Sequence, residues 1–221
     1  MRAYLPKHNQ LVRLIILTAI CVAMIIYKYF QLNSIFLMFL GWNIFLAWIP
    51  LLALFLLTIR GKNGFRLLIS ILLWLVWILF YPNAPYLITD IIHVPRNAIM
   101  VSYSALSVNI LAWYDIVLIL LSVWTGILLA FHALYPVHQA ICNQVGIIIG
   151  HAFSLAICLL SSYGIYLGRF PRLNSWDIIK KPSILYTVII NSFNMVTLKF
   201  VLLFGLLIYI IYNTLYSLER R

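Results

Sequence analysis

Long apolar runs, separated by short polar or basic clusters, fill the chain from residue 11 to residue 217. Six of them come near the roughly 20 residues that cross a bilayer as a helix: 11–30, 35–58, 65–81, 113–135, 145–170 and 196–217. The run at 65–81 is short, and Arg66 can snorkel to the interface beside it. Another apolar stretch, 184–194, follows Lys180, Lys181 and Pro182 and is interrupted by Asn191 and Asn194. It reads as an interfacial helix leading into the sixth span. The pattern predicts an all-α integral membrane protein. It would be one polytopic domain over residues 1–221, with about six transmembrane helices plus short interfacial or re-entrant helices.

Composition removes the soluble alternative. Hydrophobic residues make up 65% of the chain and charged residues 9%, against roughly a quarter charged in a soluble domain. Too little polar surface exists to face water, so lipid is the solvent and membrane lipids are the first expected partners. The net charge of +11 does not point to nucleic acid. Lys and Arg lie between apolar runs, singly or in threes, as charges that fix orientation and touch anionic headgroups do. No basic patch accompanies a soluble fold. With six spans, both termini and the segments 59–64 and 136–144 share one face, and 31–34, 82–112 and 171–195 share the other. A slight excess of Lys and Arg on the terminal face places the termini in the cytoplasm and the chain in the cell membrane.

Cys21, Cys142 and Cys158 lack CxxC spacing and read as small hydrophobes. No A-x-A site follows the basic start, so the first apolar run reads as an uncleaved helix. Leu17–Cys21 distantly resembles a lipoprotein site, but bulky Ile20 stands where a small residue is expected.

The chain has four acidic residues. Glu219 lies in the C-terminal tail, while Asp90, Asp115 and Asp177 all map to the face opposite the termini. A carboxylate at a helix centre in a bilayer costs roughly 3 kcal/mol, so this grouping suggests a site. Around Asp90 the chain reads Tyr81-Pro82-Asn83-Ala84-Pro85-Tyr86-Leu87-Ile88-Thr89-Asp90-Ile91-Ile92-His93. Pro82 should end the third span, and Pro85 suits the first turn of a new short helix that ends near Pro95. Spacings of four and three would set Tyr86, Asp90 and His93 on one side. A phenol, a carboxylate and an imidazole together can hold a metal, bind a polar headgroup or relay a proton. Equally, Tyr86 and His93 can be interface anchors while Asp90 pairs with Arg96 or Arg169. Asp115, in Trp113-Tyr114-Asp115, suits the first turn of a span, where an acid complements the helix dipole.

The third cluster, Gly164 to Asp177, ends the fifth span with Arg169 and Arg172. Asn174 or Ser175 can cap a helix whose first turn holds Asp177. Two arginine forks beside a membrane can clasp a lipid phosphate or pair with the aspartates. Candidate catalytic residues are thus Asp90, His93, Asp115 and Asp177. Candidate ligand contacts are Asn83, Tyr86, Tyr114, Arg169, Arg172 and Asn174. Small residues at Gly146, Gly150, Ser154, Cys158, Ser161, Gly164 and Gly168 form a stripe on the fifth span, for packing within the chain or for a homodimer. His132, His138 and His151 lie toward the other face without metal spacing and read as structural or interfacial. No HExxH or comparable metal spacing, Walker loop, GxSxG elbow or dinucleotide fingerprint occurs, so the motifs name no metal or cofactor.

PNAPYLITD at 82–90, WYD at 113–115 and GIYLGRFPRLNSWD at 164–177 resemble a bacterial family of multi-pass membrane proteins, domain of unknown function 1361. The likeness covers most of the chain from about residue 40. It implies a polytopic fold and brings no assigned activity. Tyr81 and Pro171 depart from the family pattern, which bears on the local backbone at 170–173. Three functions remain open: binding or processing a phosphate-bearing lipid or envelope precursor at the aspartate face, a structural or accessory subunit docking a partner membrane protein, and a small transporter or channel.

Overall fold

A computed structural model describes residues 4–31, 35–59, 66–94, 110–173, 175–180 and 182–219. The elements are α1 (His8–Gln31), α2 (Met38–Ile59), α3 (Arg66–Phe80), α4 (Asn83–Tyr86, running on as a 3₁₀ turn Leu87–His93), α5 (Ile110–Val145), α6 (Ile147–Arg169), α7 (Asp177–Lys180), α8 (Pro182–Asn191) and α9 (Met195–Glu219). No strand occurs among the described residues. Among the described residues, six segments are long and apolar enough to cross a membrane: His8–Gln31, Met38–Thr58, Leu67–His93, Ile110–Val145, Ile147–Arg169 and Met195–Glu219.

Two of these differ in extent from the sequence pattern. α3 alone has 15 residues, but the chain makes only a short turn at Tyr81 and Pro82 before helix resumes, so the apolar segment reaches His93. The turn falls where Pro82 disfavours helical backbone at the residue before it, Tyr81. Pro85 then sits in the first turn of α4, where its missing N–H leaves no bond unmade. In α5, the expected connection at 136–144 is helical, with Pro136 inside the helix. Proline removes one backbone bond there. Away from water, unwinding the following turns would leave many more groups unsatisfied. The break comes instead at Gly146, whose φ of 103° suits glycine.

Contacts gather the chain into two compact units. The first comprises Pro6–Trp48 and Asn83–Ala130. Here α1 and α2 run antiparallel: Trp48 Nε1 donates to Thr18 Oγ1 (3.0 Å), Ile25 lies beside Gly41, and Lys28 lies beside Phe36. Cys21 Sγ approaches Thr125 Oγ1 at 3.8 Å, setting α1 against α5. Gly126 on α5 leaves room for the α4 turn, for a Cβ there would sit 2.6 Å from the Ala84 carbonyl and 2.9 Å from Leu87.

The second unit comprises Met1–Leu5, Ile49–Pro82 and Phe131–Arg221. Its α6 and α9 pack antiparallel, through His151 with Tyr216, Leu159 with Gly205, and Tyr166 with Phe200. Trp77 donates from Nε1 to the Ala133 carbonyl (3.1 Å) and packs against buried Tyr81. His138 is buried, with Nδ1 2.7 Å from the Tyr212 hydroxyl, in an aromatic cluster with His151 and Tyr216. Gly150 lies against His138 and Cys142, Gly164 against Pro82, and Ser154, Cys158 and Ser161 are buried. From Gly150 to Gly164 these small residues thus allow close packing inside this unit.

Two glycines in α2 and α5 separate space from propensity. Gly126→Ala should destabilise the chain by about 1–3 kcal/mol, because backbone stands where the methyl must go. Gly41→Ala meets only Ile25 Cδ1 at 3.7 Å, and should be neutral or stabilising by up to about 1 kcal/mol. Thermal unfolding of both variants in the same detergent checks the contrast.

Candidate functional site

Lys28 lies in the last turn of α1, an otherwise apolar stretch, and is buried. Its ammonium forms an ion pair with Asp115, the two side chains being 7% and 14% exposed. The same ammonium sits 5.0 Å from the centre of the Phe36 ring, a favourable placement of a cation on an aromatic face. Asp115 does not occupy the first turn of its helix. α5 has begun by Ile110, and no acid lies in that turn. The helix dipole therefore does not account for this carboxylate, whereas the lysine 87 positions earlier does. Next to it, the Tyr114 hydroxyl donates to the Met24 carbonyl (2.7 Å), tying α5 to α1 a second time.

Asp90 is 0% exposed. Asn43 Nδ2 donates to its Oδ2 at 2.9 Å. One turn away on α2, Phe39 meets His93 edge to face, with ring centres 4.7 Å apart. Asp90 and His93 share a side because Leu87–His93 is 3₁₀ helix, where residues three apart eclipse. The same winding turns Tyr86 about 120° away, so the expected three-residue face keeps two members. Tyr86 is half-buried, and its carbonyl accepts from Thr89 Oγ1 (2.7 Å). Asn83 starts α4, half-buried. The antiparallel pairing of α1 with α2 brings the end of one to the start of the other. Lys28–Asp115 and Asn43–Asp90 consequently lie at the same end of the first unit.

The remaining candidates belong to the second unit. Arg169 closes α6, half-buried. Beyond it the Leu173 N–H returns to the Leu167 carbonyl (3.0 Å), wrapping the helix end around an exposed Arg172 with φ of 60°. Arginine adopts that left-handed backbone at a cost, and Pro171 immediately before it stops α6 from continuing. Ser175 Oγ donates to the Leu79 carbonyl (3.1 Å), and Asp177, 5% exposed, opens α7. Asn174 and Arg96 lie outside the described residues. Among the described residues, no three His, Cys, Asp or Glu side chains gather as a metal site.

A family model for a protein of unknown function, DUF1361, matches residues 42–211. The chain belongs to the DUF1361 family. No curated protein and no solved structure matches it. In this DUF1361 chain all three motif segments fall inside the matched region, as does Asn43, while Lys28 precedes it.

Lys28 and Asn43 are the residues that motif reading misses. Each carried a signal: Lys28 is a cation inside an apolar span, and Asn43 is a lone amide in another. Polar groups so placed call for a partner. The first unit of the DUF1361 chain thus answers one carboxylate with a buried ammonium and seals the other under an amide.

Replacing Arg172 by Gly should raise stability by about 1 kcal/mol, since glycine takes a left-handed backbone without strain. Arg172→Ala removes the charge and keeps the strain, so it should bring no such gain. Parallel melting curves of the two variants test the assignment.

Proposed function

We propose that this DUF1361 protein is a non-catalytic structural subunit of the cell membrane, multi-pass, with both termini in the cytoplasm. In this reading the motif aspartates of the first unit hold helices together instead of acting on a substrate. The pairing of Asp115 with buried Lys28 carries it, seconded by Asp90, which is 0% exposed beneath Asn43. A carboxylate kept for acid–base chemistry or for a ligand must be reachable by it, and these two are turned into the helix packing. The family match supports a membrane protein without an assigned activity and adds no substrate.

Stability measurements separate this role from an enzymatic one. Removing one member of a buried pair leaves the other charge uncompensated, at a cost that reaches about 3 kcal/mol. Asp115→Asn and Lys28→Met should each lower the unfolding free energy by up to that amount. The double variant should lose less than the two single losses added together. Active-site carboxylates behave in the opposite way, because function is commonly held at the expense of stability. An Asp115→Asn protein as stable as the parent, or more so, would overturn the structural reading.

A further inference from the structure

The second unit combines, at one end, a helix with no fully buried side chain and three exposed cations. α8 has 10 residues and no buried side chain. Its length is about 15 Å, half a hydrocarbon core, so it does not cross. Ile184, Tyr186 and Ile190 each expose half or more of their surface, and Phe193, Met195 and Val196 expose still more. The helix is nonetheless anchored. Ser192 Oγ and the Tyr163 hydroxyl are 2.7 Å apart, fixing its end to α6. Asn194 Oδ1 then accepts from the N–H groups of Val196 and Thr197, each at 3.0 Å, and so caps α9.

Tyr166 and Phe170 pack on Phe200, so the end of α6 lies beside the start of α9. Arg172, just past α6, and Lys199, near the start of α9, therefore share this end. Lys180 closes α7 and shortly precedes α8. All three are exposed, and none forms an ion pair among the described residues. Asp177, the acid nearest them in sequence, is buried.

We propose that this end of the unit is a binding surface for anionic phospholipid. α8 lies among acyl chains at the headgroup boundary, and Arg172, Lys180 and Lys199 meet the phosphates. Two features select lipid. A soluble anion would satisfy the cations and leave Ile184, Tyr186 and Phe193 in water. α8 is half-buried on one side, at Leu185, Val188 and Ile189, and exposed on the other, at Ile184, Tyr186 and Ile190, which leaves one apolar face free to enter acyl chains as an interfacial helix does. The inference is independent of the role given to Asp90 and Asp115.

The test uses the full chain in mild detergent, with native mass spectrometry of bound phosphatidylglycerol and phosphatidylcholine of identical chains. The wild type should retain phosphatidylglycerol on the order of a hundredfold more strongly, an affinity that weakens as salt rises. Lys180→Gln alone should reduce that preference about fivefold, and Arg172→Gln/Lys180→Gln/Lys199→Gln on the order of a hundredfold. Ile184→Asn/Ile190→Asn should weaken both lipids alike. Equal retention of the two lipids by the wild type overturns the proposal. So does an unchanged preference in Lys180→Gln, an exposed substitution that the fold tolerates. Displacement of phosphatidylglycerol by millimolar inorganic phosphate would overturn it in favour of a soluble anion.

Discussion

An ammonium or a carboxylate taken out of water needs an opposite charge, because hydrocarbon offers neither hydrogen bond nor counter-ion. Lys28 and Asp115 supply that need to each other, and in doing so set the end of α1 against the start of α5. Hydrogen bonds add further ties between helices. Trp48 answers Thr18, Asn43 answers Asp90, Trp77 answers the Ala133 carbonyl and His138 answers Tyr212. Apolar side chains gain little from meeting one another in lipid, so these polar contacts and the close approaches at Gly126, Gly150 and Gly205 define which helices touch.

What the sequence reveals of this fold follows from how local the signals are. Apolar length is a local property, and the six long helices are readable from it. Local proline chemistry likewise marks the break at Pro82 and the restart before Pro85. Pro136 misleads, since its effect on a helix depends on whether water is there to take up the freed groups. The winding of Leu87–His93 is also hidden, and with it the parting of Tyr86 from Asp90 and His93. The Lys28–Asp115 pair was beyond reach for another reason. Nothing in either neighbourhood records a partner 87 residues away. Its nearest sign was the presence of a cation where a span should be apolar.

The most distinctive stretches of the chain are therefore not automatically its chemistry. PNAPYLITD supplies a turn, a restart and a carboxylate turned onto α2. WYD supplies two ties from α5 to α1, through Tyr114 and Asp115. One of those ties ends on a lysine that precedes the region the family model matches. The GRFPR segment differs in kind. Its backbone is strained at Arg172 and its charge faces outward, where strain and exposure coincide more often for contact with something external than for packing.

The separation of Lys28 from Asp115 also has a history in time. At about 5–20 residues per second, the ribosome delivers the aspartate on the order of ten seconds after the lysine. Through that interval α1 carries a charge with no partner, and its ammonium must rest in the headgroup layer at the end of its long stem. Only the arrival of α5 lets it sink into place. α1 is thus made before α2 but fully seated only after α5, and an interruption of synthesis before residue 115 releases a chain in which Lys28 still lacks its carboxylate.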